Sequence, residues 1–511
     1  MTARTVTLPA AEVAHFAAAS ADVNPLHTDE DFARRTPYGR PIAHGALVVL
    51  TALAVVPADR LARLTVLTAD FLGPVYPDVP YQVVAEQGPE QGRLRLRISC
   101  RGETAAVVGL TLDGDRPLPQ RLSADSVRTG VPEDAAPRVW SLPELAGADR
   151  WTAAYHPDPQ RLRELADRLG GQGIPDPLLL WLAGSSWVVG MQAPGRDALF
   201  AGLRLTRQDG PPTPDRESAM EITRADPRTG AVGLRATGSG PEGSAVLELR
   251  TFVRLPVPVP TRVSVAAHLT PSQNLADRQI LLTGGSRGFG AALAGAFASQ
   301  GATVWTLYAR SQDRVQALRQ EFGANRIRPL RCDATNPAEV ARVIAQLESN
   351  GIELDGVAVV AAPPLQNTTL HPDSVAPALE FIQRSLGMAL HPLTAALPLL
   401  RRDGWLLAAS SDAVADPPDG WGHYAAAKAA LESYAAYCGR RHGVRTLLLR
   451  PPKMHTDLVN SPTARLGAVS VEQVAAAALH WVIGNAGPQG ATTVLDTAEI
   501  LRTTDPSRGQ P

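Results

Sequence analysis

The chain has 511 residues, 44% of them hydrophobic and 19% charged; at about 100–200 residues per domain this means two to four folded domains and excludes a disordered chain. Its 49 basic and 50 acidic residues leave a formal charge of -1, which argues against a role on nucleic acid or on an anionic membrane. Cys100, Cys332 and Cys438 lie too far apart for a disulfide framework or a metal knuckle, so no metal is expected and a reducing cytoplasm fits best.

In chain order, residues 64–72, 81–86, 92–100 and 104–113 read as strands, with period-2 alternation clearest in Leu94-Arg95-Leu96-Arg97-Ile98. Residues 46–56 are apolar nearly all round, as a helix buried against a sheet should be. Together these elements predict a hot-dog unit, one long helix wrapped by an antiparallel sheet. After a Pro- and Gly-punctuated stretch from 113 to 146 the pattern returns: a helix at 178–191, then strands at 198–206, 219–225, 231–238 and 244–255. The order of elements, without strong identity, predicts a second, diverged copy. Neither apolar stretch, 46–58 or 178–191, can span a bilayer, and Glu12 and His15 interrupt the N-terminus where a leader needs an apolar run.

Pro256-Val-Pro-Val-Pro260 reads as a stiff linker. Beyond it, strands at 280–283, 303–308, 328–332, 356–361, 405–410 and 444–449 alternate with helices at 288–300, 312–322, 337–349, 374–400, 423–441 and 471–483. Such alternation predicts a doubly wound α/β fold on a parallel sheet. The expected domains are 1–118, 119–260 and 261–511.

Two clusters carry chemistry. Thr283-Gly-Gly-Ser-Arg-Gly-Phe-Gly290 joins the first α/β strand to its helix. Gly284, Gly288 and Gly290 let the backbone approach a pyrophosphate above a helix N-terminus, although a plain tight turn has the same look. Only two of the 49 basic residues are lysines, Lys428 and Lys453. Lys428 follows Tyr424 by four residues, so the two share a helix face. An ammonium beside a phenol favours the phenolate and makes Tyr424 an acid–base group. Ser411, thirteen residues earlier, can hydrogen-bond a carbonyl. Residues 275–500 resemble the short-chain dehydrogenase/reductase family on these motifs. That resemblance implies a catalytic Ser411, Tyr424 and Lys428. It also implies a cofactor site with Gly284, Ser286, Gly288, Gly290, Lys428, an adenine-contacting Asp333 and a nicotinamide-side Thr456. The chain departs from the family at Val359-Val-Ala-Ala362, at Ser385 where a helix asparagine is usual, and at Pro451-Pro452. Arg287 in the glycine loop and Arg310 after the second strand are placed to pair with a 2′-phosphate, which points to NADPH; two solvated arginines, or an Arg310–Asp313 pair, are the alternatives.

The second cluster is Ser20-Ala-Asp22-Val-Asn24-Pro-Leu-His27-Thr-Asp29, followed by Pro41-Ile-Ala-His44-Gly45. Asp22 and His27 flank a break at Asn24-Pro25. An acid and a base so placed can remove a C2 proton from a thioester and protonate its 3-hydroxyl, while amides at the helix start near Gly45 hold the thioester oxygen. Turn caps and a surface histidine are the other reading of the same residues. The strings closely resemble the signature of the MaoC-like (R)-specific enoyl hydratase/dehydratase family, over residues 5–113. The resemblance implies an Asp22–His27 dyad oriented by Asn24, in a double hot dog whose second half shapes an acyl tunnel. No catalytic residue is assigned to that half; Asp176 and His156 read as a cap and a surface residue. The combined expectation is a cytoplasmic, dimeric reductase–dehydratase for 3-oxoacyl thioesters of coenzyme A or acyl carrier protein. An oxidative hydratase–dehydrogenase and a vestigial carrier-binding scaffold remain as alternatives.

Overall fold

The alternation read in residues 92–100 is realised as a strand, Arg93–Cys100, that buries Leu94, Leu96 and Ile98 and turns its arginines to solvent. The computed structural model describes residues 2–88, 90, 92–122, 136–208, 210, 213, 216–460, 464–484 and 487–504. They divide into two units, Met1–Leu255 and Pro256–Pro511.

The first unit holds one antiparallel sheet of ten strands. These are β1 (Thr2–Thr7), β2 (Val66–Phe71), β3 (Pro80–Gln87), β4 (Arg93–Cys100), β5 (Glu103–Thr111), β6 (Trp151–Ala154), β7 (Ala198–Gln208), β8 (Glu217–Asp226), β9 (Ala231–Gly240) and β10 (Gly243–Val253). Their order is β1-β3-β4-β5-β2-β7-β10-β9-β8-β6. The β2–β7 ladder, with Val66 opposite Thr206, welds the two expected halves into one sheet. Five helices matter for the site: α1 (Ala10–Ser20), α2 (Pro25–Thr28), α3 (Gly45–Leu53), α4 (Pro159–Arg168) and α5 (Asp176–Trp187). After its first residue α3 is buried at every position, and α5 likewise from Pro177 onward. These are the two central helices of a double hot dog, and they pack on each other. The helix expected at 178–191 runs on from α5 as a π-helical turn, Val188–Gln192; such turns are rare and gather at functional sites. Asp176 is not a cap: Pro175 holds that place, and the Asp176 carboxylate accepts from Arg163 and the Leu122 amide.

The second unit is a seven-stranded, all-parallel sheet ordered β13-β12-β11-β14-β15-β16-β17. Its strands are β11 (Gln279–Thr283), β12 (Thr303–Tyr308), β13 (Ile327–Arg331), β14 (Leu354–Val359), β15 (Leu400–Ala409), β16 (Arg445–Leu449) and β17 (Thr492–Leu495). The helices α6 (Gly288–Ser299), α7 (Gln312–Phe322), α8 (Pro337–Ser349), α9 (Val375–Ala396), α10 (Gly422–His442) and α11 (Val471–Ile483) wind over it. Strand order reverses between β11 and β14, where open α/β sheets bind their ligands. Among the described residues no helix is long and apolar enough to cross a membrane.

Candidate active sites

In the first unit Pro25 starts α2, and Asn24 caps it by accepting from the Leu26 amide at 3.0 Å. The amide nitrogen of Asn24 donates to the carbonyls of Gly190 and Gly195, both at 3.0 Å. The side chain read as an orienter therefore ties the dyad loop to the second half. Asp22, before the cap, is 1% exposed. One of its oxygens accepts from Ser186 Oγ at 2.6 Å and the other from the Asn24 amide at 3.3 Å. Burial outweighs both bonds and pushes the carboxyl up to about 7. His27, on α2, gives Nδ1–H to the Ile42 carbonyl at 2.7 Å, which leaves Nε2 as the acceptor. Burial holds its imidazole down at about 4. His44 is fully buried and stacked on His27, with ring centroids 3.7 Å apart. Its Nε2 bonds the Asp22 carbonyl at 3.0 Å. Donor atoms of Asp22, His27 and His44 all lie within 4.8 Å of one another.

His44 is also the N-cap residue of α3, so Gly45 begins that helix and its first amides have no intrahelical partner. A Cβ at Gly45 would meet the Phe71 ring at 2.7 Å; the missing side chain lets that ring close over the helix start. Sequence reasoning gave the second half a share in the acyl tunnel but no residue at the dyad. The structure gives it Ser186 and Gly190, where a Cβ would stand 2.2 Å from Asp22 Oδ1. Tyr155 adds a hydroxyl donated to the Ser20 carbonyl at 3.2 Å. Ser186 carries no motif and sits inside an apolar helix, so only the packing of α5 on α3 could find it.

In the second unit the glycine loop is folded too tightly for side chains. A Cβ at Gly290 would lie 2.2 Å from the Gly284 carbonyl, and one at Gly284, whose φ is +72°, 2.8 Å from Ala361 Cα. Gly288, also at positive φ, faces Thr456. This close backbone at the start of α6 is the cradle a dinucleotide pyrophosphate needs. Ser286 lies half-buried in the same loop. Asp333, past β13, accepts from the amide and hydroxyl of Thr335. Arg310 is exposed two residues past β12, and Arg287 donates to Asp457 at 2.9 Å.

Ser411, Tyr424 and Lys428 come together, with Ser411 hydrogen-bonded to the Tyr424 side chain. All three are buried. Lys428 Nζ donates to the Ala409 carbonyl at 2.6 Å and stands 5.7 Å from the Tyr424 ring centre. Burial, not the ammonium, governs the phenol and pushes it up to about 12. The expected phenolate is thus corrected to a protonated tyrosine. Burial lowers Lys428 to about 8 against the pull of Glu432. Glu432, unforeseen from sequence, is a buried hub: it accepts Nε and Nη2 of Arg450 at 2.7 and 2.6 Å and the Ser410 hydroxyl. It fixes the ends of β15 and β16 to the helix that carries Tyr424 and Lys428. Ser385 is buried on α9.

The fold and geometry define two enzyme-like halves: a double hot dog with a buried acid–base pair, and a doubly wound domain with a Ser–Tyr–Lys set. Comparison with known proteins agrees. Residues 1–97 match the MaoC like domain and residues 278–466 the short chain dehydrogenase family. A 3-hydroxybutyryl-CoA dehydratase of Methylorubrum extorquens is 35% identical over 127 residues, 23% of this chain and 78% of that protein. An (R)-specific enoyl-CoA hydratase of Aeromonas caviae is 62% identical over 39 residues, 8% of this chain; the chain spans only 29% of that enzyme's length. A crystal structure of a short chain dehydrogenase from Burkholderia cenocepacia in complex with NADP is 26% identical, with 44% of this chain and 98% of that one covered and a TM-score of 0.39. A blue fluorescent protein from a metagenomic library, in complex with NADPH, is 23% identical over 44% of this chain and 99% of that one, TM-score 0.40. The chain belongs to the MaoC-like dehydratase family, with a short-chain dehydrogenase domain fused behind it, and the glycine loop of that domain fits a nicotinamide cofactor.

Proposed function

We propose that the second unit reduces a 3-oxoacyl thioester to the (3R)-hydroxyacyl thioester and that the first unit removes water from it to give the trans-2-enoyl thioester. The observation that carries this reading is the opposite displacement of two neighbouring groups, Asp22 up to about 7 and His27 down to about 4. Between those values the carboxyl keeps its proton and the imidazole has none, the state an elimination needs. His27 Nε2 takes the C2 proton, and the C–H electron pair becomes the new double bond. Asp22 gives its proton to the 3-hydroxyl, which leaves as water. Charge on the thioester oxygen faces the first amides of α3. Proton return from His27 to Asp22 resets the pair, and water addition is the same path reversed.

In the second unit a bound reduced nicotinamide supplies the hydride to C3. The chain does the rest: Ser411 holds the ketone oxygen, and Tyr424 donates its phenolic proton to it. A phenol kept protonated by burial is the form that this reduction consumes. We take the reductant to be NADPH, because Arg310 stands just past β12, where NAD-specific folds place an acid for the ribose hydroxyls. Arg287 already pairs with Asp457, so Arg310→Ala is expected to lose more NADPH-over-NADH selectivity than Arg287→Ala. Equal kcat/KM for both cofactors in the unaltered chain would remove this part. The acyl group rides on coenzyme A or a carrier protein. The assembly is taken as a homodimer, with Val375 and Leu379 on α9 and Tyr437 on α10 exposed; sedimentation velocity tests it as a single species of twice the chain mass. The test of the whole is turnover of a 3-oxoacyl thioester by the purified chain, which a vestigial scaffold would fail.

A further inference from the structure

Directly beside the dyad loop the second half builds a small rim that the chemistry above leaves unused. The segment after α5 turns back at Gly195, whose φ is +77° and where a Cβ would stand 2.1 Å from the Arg138 carbonyl. That turn pairs Val139 with Gly195 in a short antiparallel bridge. Arg138 donates its amide to the Met191 carbonyl at 3.0 Å, and Arg196 donates its amide to the Arg138 carbonyl at 2.9 Å. Two exposed arginines are thereby held next to each other. The rim abuts the site: the Arg196 carbonyl lies 3.4 Å from Asn24 Nδ2, the side chain that caps the dyad helix. A third arginine, Arg254, joins it through Asp197, giving its amide to the Asp197 carbonyl at 2.8 Å and Nη2 to the carboxylate at 3.0 Å. The Arg254 guanidinium also lies over the ring of Phe32, five residues past His27. Arg196 leans on the same carboxylate at 3.3 Å. Asp197 therefore serves two guanidiniums, and Arg138 adds a third positive charge to the rim. Guanidiniums gathered in this way make a place that favours an anion.

We propose that Arg138 and Arg196 form the anchor for the phosphate at the far end of the pantetheine arm that carries the acyl group. The inference rests on reading the first unit as a thioester hydratase. A phosphate suits the place because guanidiniums bind its oxygens in bidentate fashion, and because pantetheine thioesters, whether of coenzyme A or of a carrier protein, end in one. The rim is tied through the Gly195 and Arg196 carbonyls to Asn24, on the loop that holds Asp22 and His27, which puts it within reach of the arm of a thioester seated at the dyad. The diverged half, which lacks a dyad string of its own, thereby serves the half that has one.

The experiment uses the full chain and an Arg138→Gln/Arg196→Gln double variant. Hydration is followed with 2-butenoyl-coenzyme A, with 2-butenoyl on a phosphopantetheinylated carrier protein, and with 2-butenoyl-N-acetylcysteamine, which has no phosphate. KM for a phosphate-bearing thioester is expected to rise about tenfold, the worth of two exposed charge contacts, with kcat kept and the N-acetylcysteamine thioester unaffected. A rise for coenzyme A alone or for the carrier protein alone names the source of the phosphate. An unchanged KM for both, or an equal rise for N-acetylcysteamine, overturns the anchor. Calorimetry with free coenzyme A keeps the outcome independent of turnover. If the unaltered chain hydrates none of the three, the hydratase reading fails by itself. The anchor then stands on a tenfold weaker coenzyme A affinity in the double variant, and falls if the chain binds no coenzyme A or if both proteins bind it equally.

Discussion

Asp22 and His27 are displaced in opposite directions, and the signs can be read in stability as well as in rate. Asp22, raised from 3.8 to about 7, binds its proton more tightly in the folded chain. Its contribution is fully present below pH 3.8 and is lost as pH rises through about 7. His27, lowered from 6.5 to about 4, contributes above pH 6.5 and loses that contribution as pH falls through about 4. Between pH 4 and 7 the two slopes oppose each other. Asp22→Asn removes one of them, so the melting temperature of the first unit should then climb with pH across that window. His27→Gln should make it fall. Each change amounts to roughly 5 °C, read by scanning calorimetry; slopes of the same sign in both variants would contradict the assignment. Both substitutions should also cut dehydration by at least about a hundredfold while ketone reduction continues. In the other unit Lys428→Arg should fail nearly as badly as Tyr424→Phe in NADPH oxidation, since the buried Nζ on Ala409 leaves no room for a planar fork. These residues were legible in the sequence because each sits in a string with chemical punctuation: Asn24-Pro25 between Asp22 and His27, and one of only two lysines in a chain rich in arginine.

At the scale of elements, what the sequence hid is what packing supplies. Period-2 alternation located β4, and the breaker-free apolar run located α3, because burial patterns repeat within a few residues. β17 is four residues long and follows Gly490, so its pattern is too short to read. The turn of α5 into a π-helix cannot be read from 178–191, which is apolar on every side. Ser186 and Gly190 lie there, and their meaning depends on Asp22 arriving from the other half. Gly190→Ala should abolish dehydration, since its Cβ would press on the Asp22 carboxylate. Ser186→Ala should lower it about tenfold and shift the alkaline limb of the rate profile upward, because Ser186 lowers the Asp22 carboxyl. An alkaline limb that stays in place would show that the Ser186 bond is incidental. In the second unit Glu432 joins three elements, so Glu432→Gln should reduce kcat for ketone reduction and move its profile toward acid, since Glu432 favours the Lys428 ammonium. A fall in kcat with an unmoved profile would reduce Glu432 to a structural clamp.

At the scale of the molecule, a MaoC-like domain and a short-chain dehydrogenase domain stand on one chain, and the proposal gives their two chemistries a shared intermediate. The alternation of strands and helices after residue 275 and the repeated hot-dog pattern before 255 made both folds readable; the single ten-stranded sheet that unites the hot-dog halves was not, because the β2–β7 ladder joins residues more than a hundred positions apart. The central claim is that the alcohol made in one unit is the substrate of the other. It is tested most directly by giving the full chain a 3-oxobutanoyl thioester with NADPH and following the acyl products by mass spectrometry. The reading expects the ketone to be consumed and the 2-enoyl thioester to appear, with the (3R)-hydroxyacyl thioester accumulating in its place when Asp22→Asn is used. A ketone left untouched, or an unaltered chain that stops at the hydroxyacyl thioester, would contradict it.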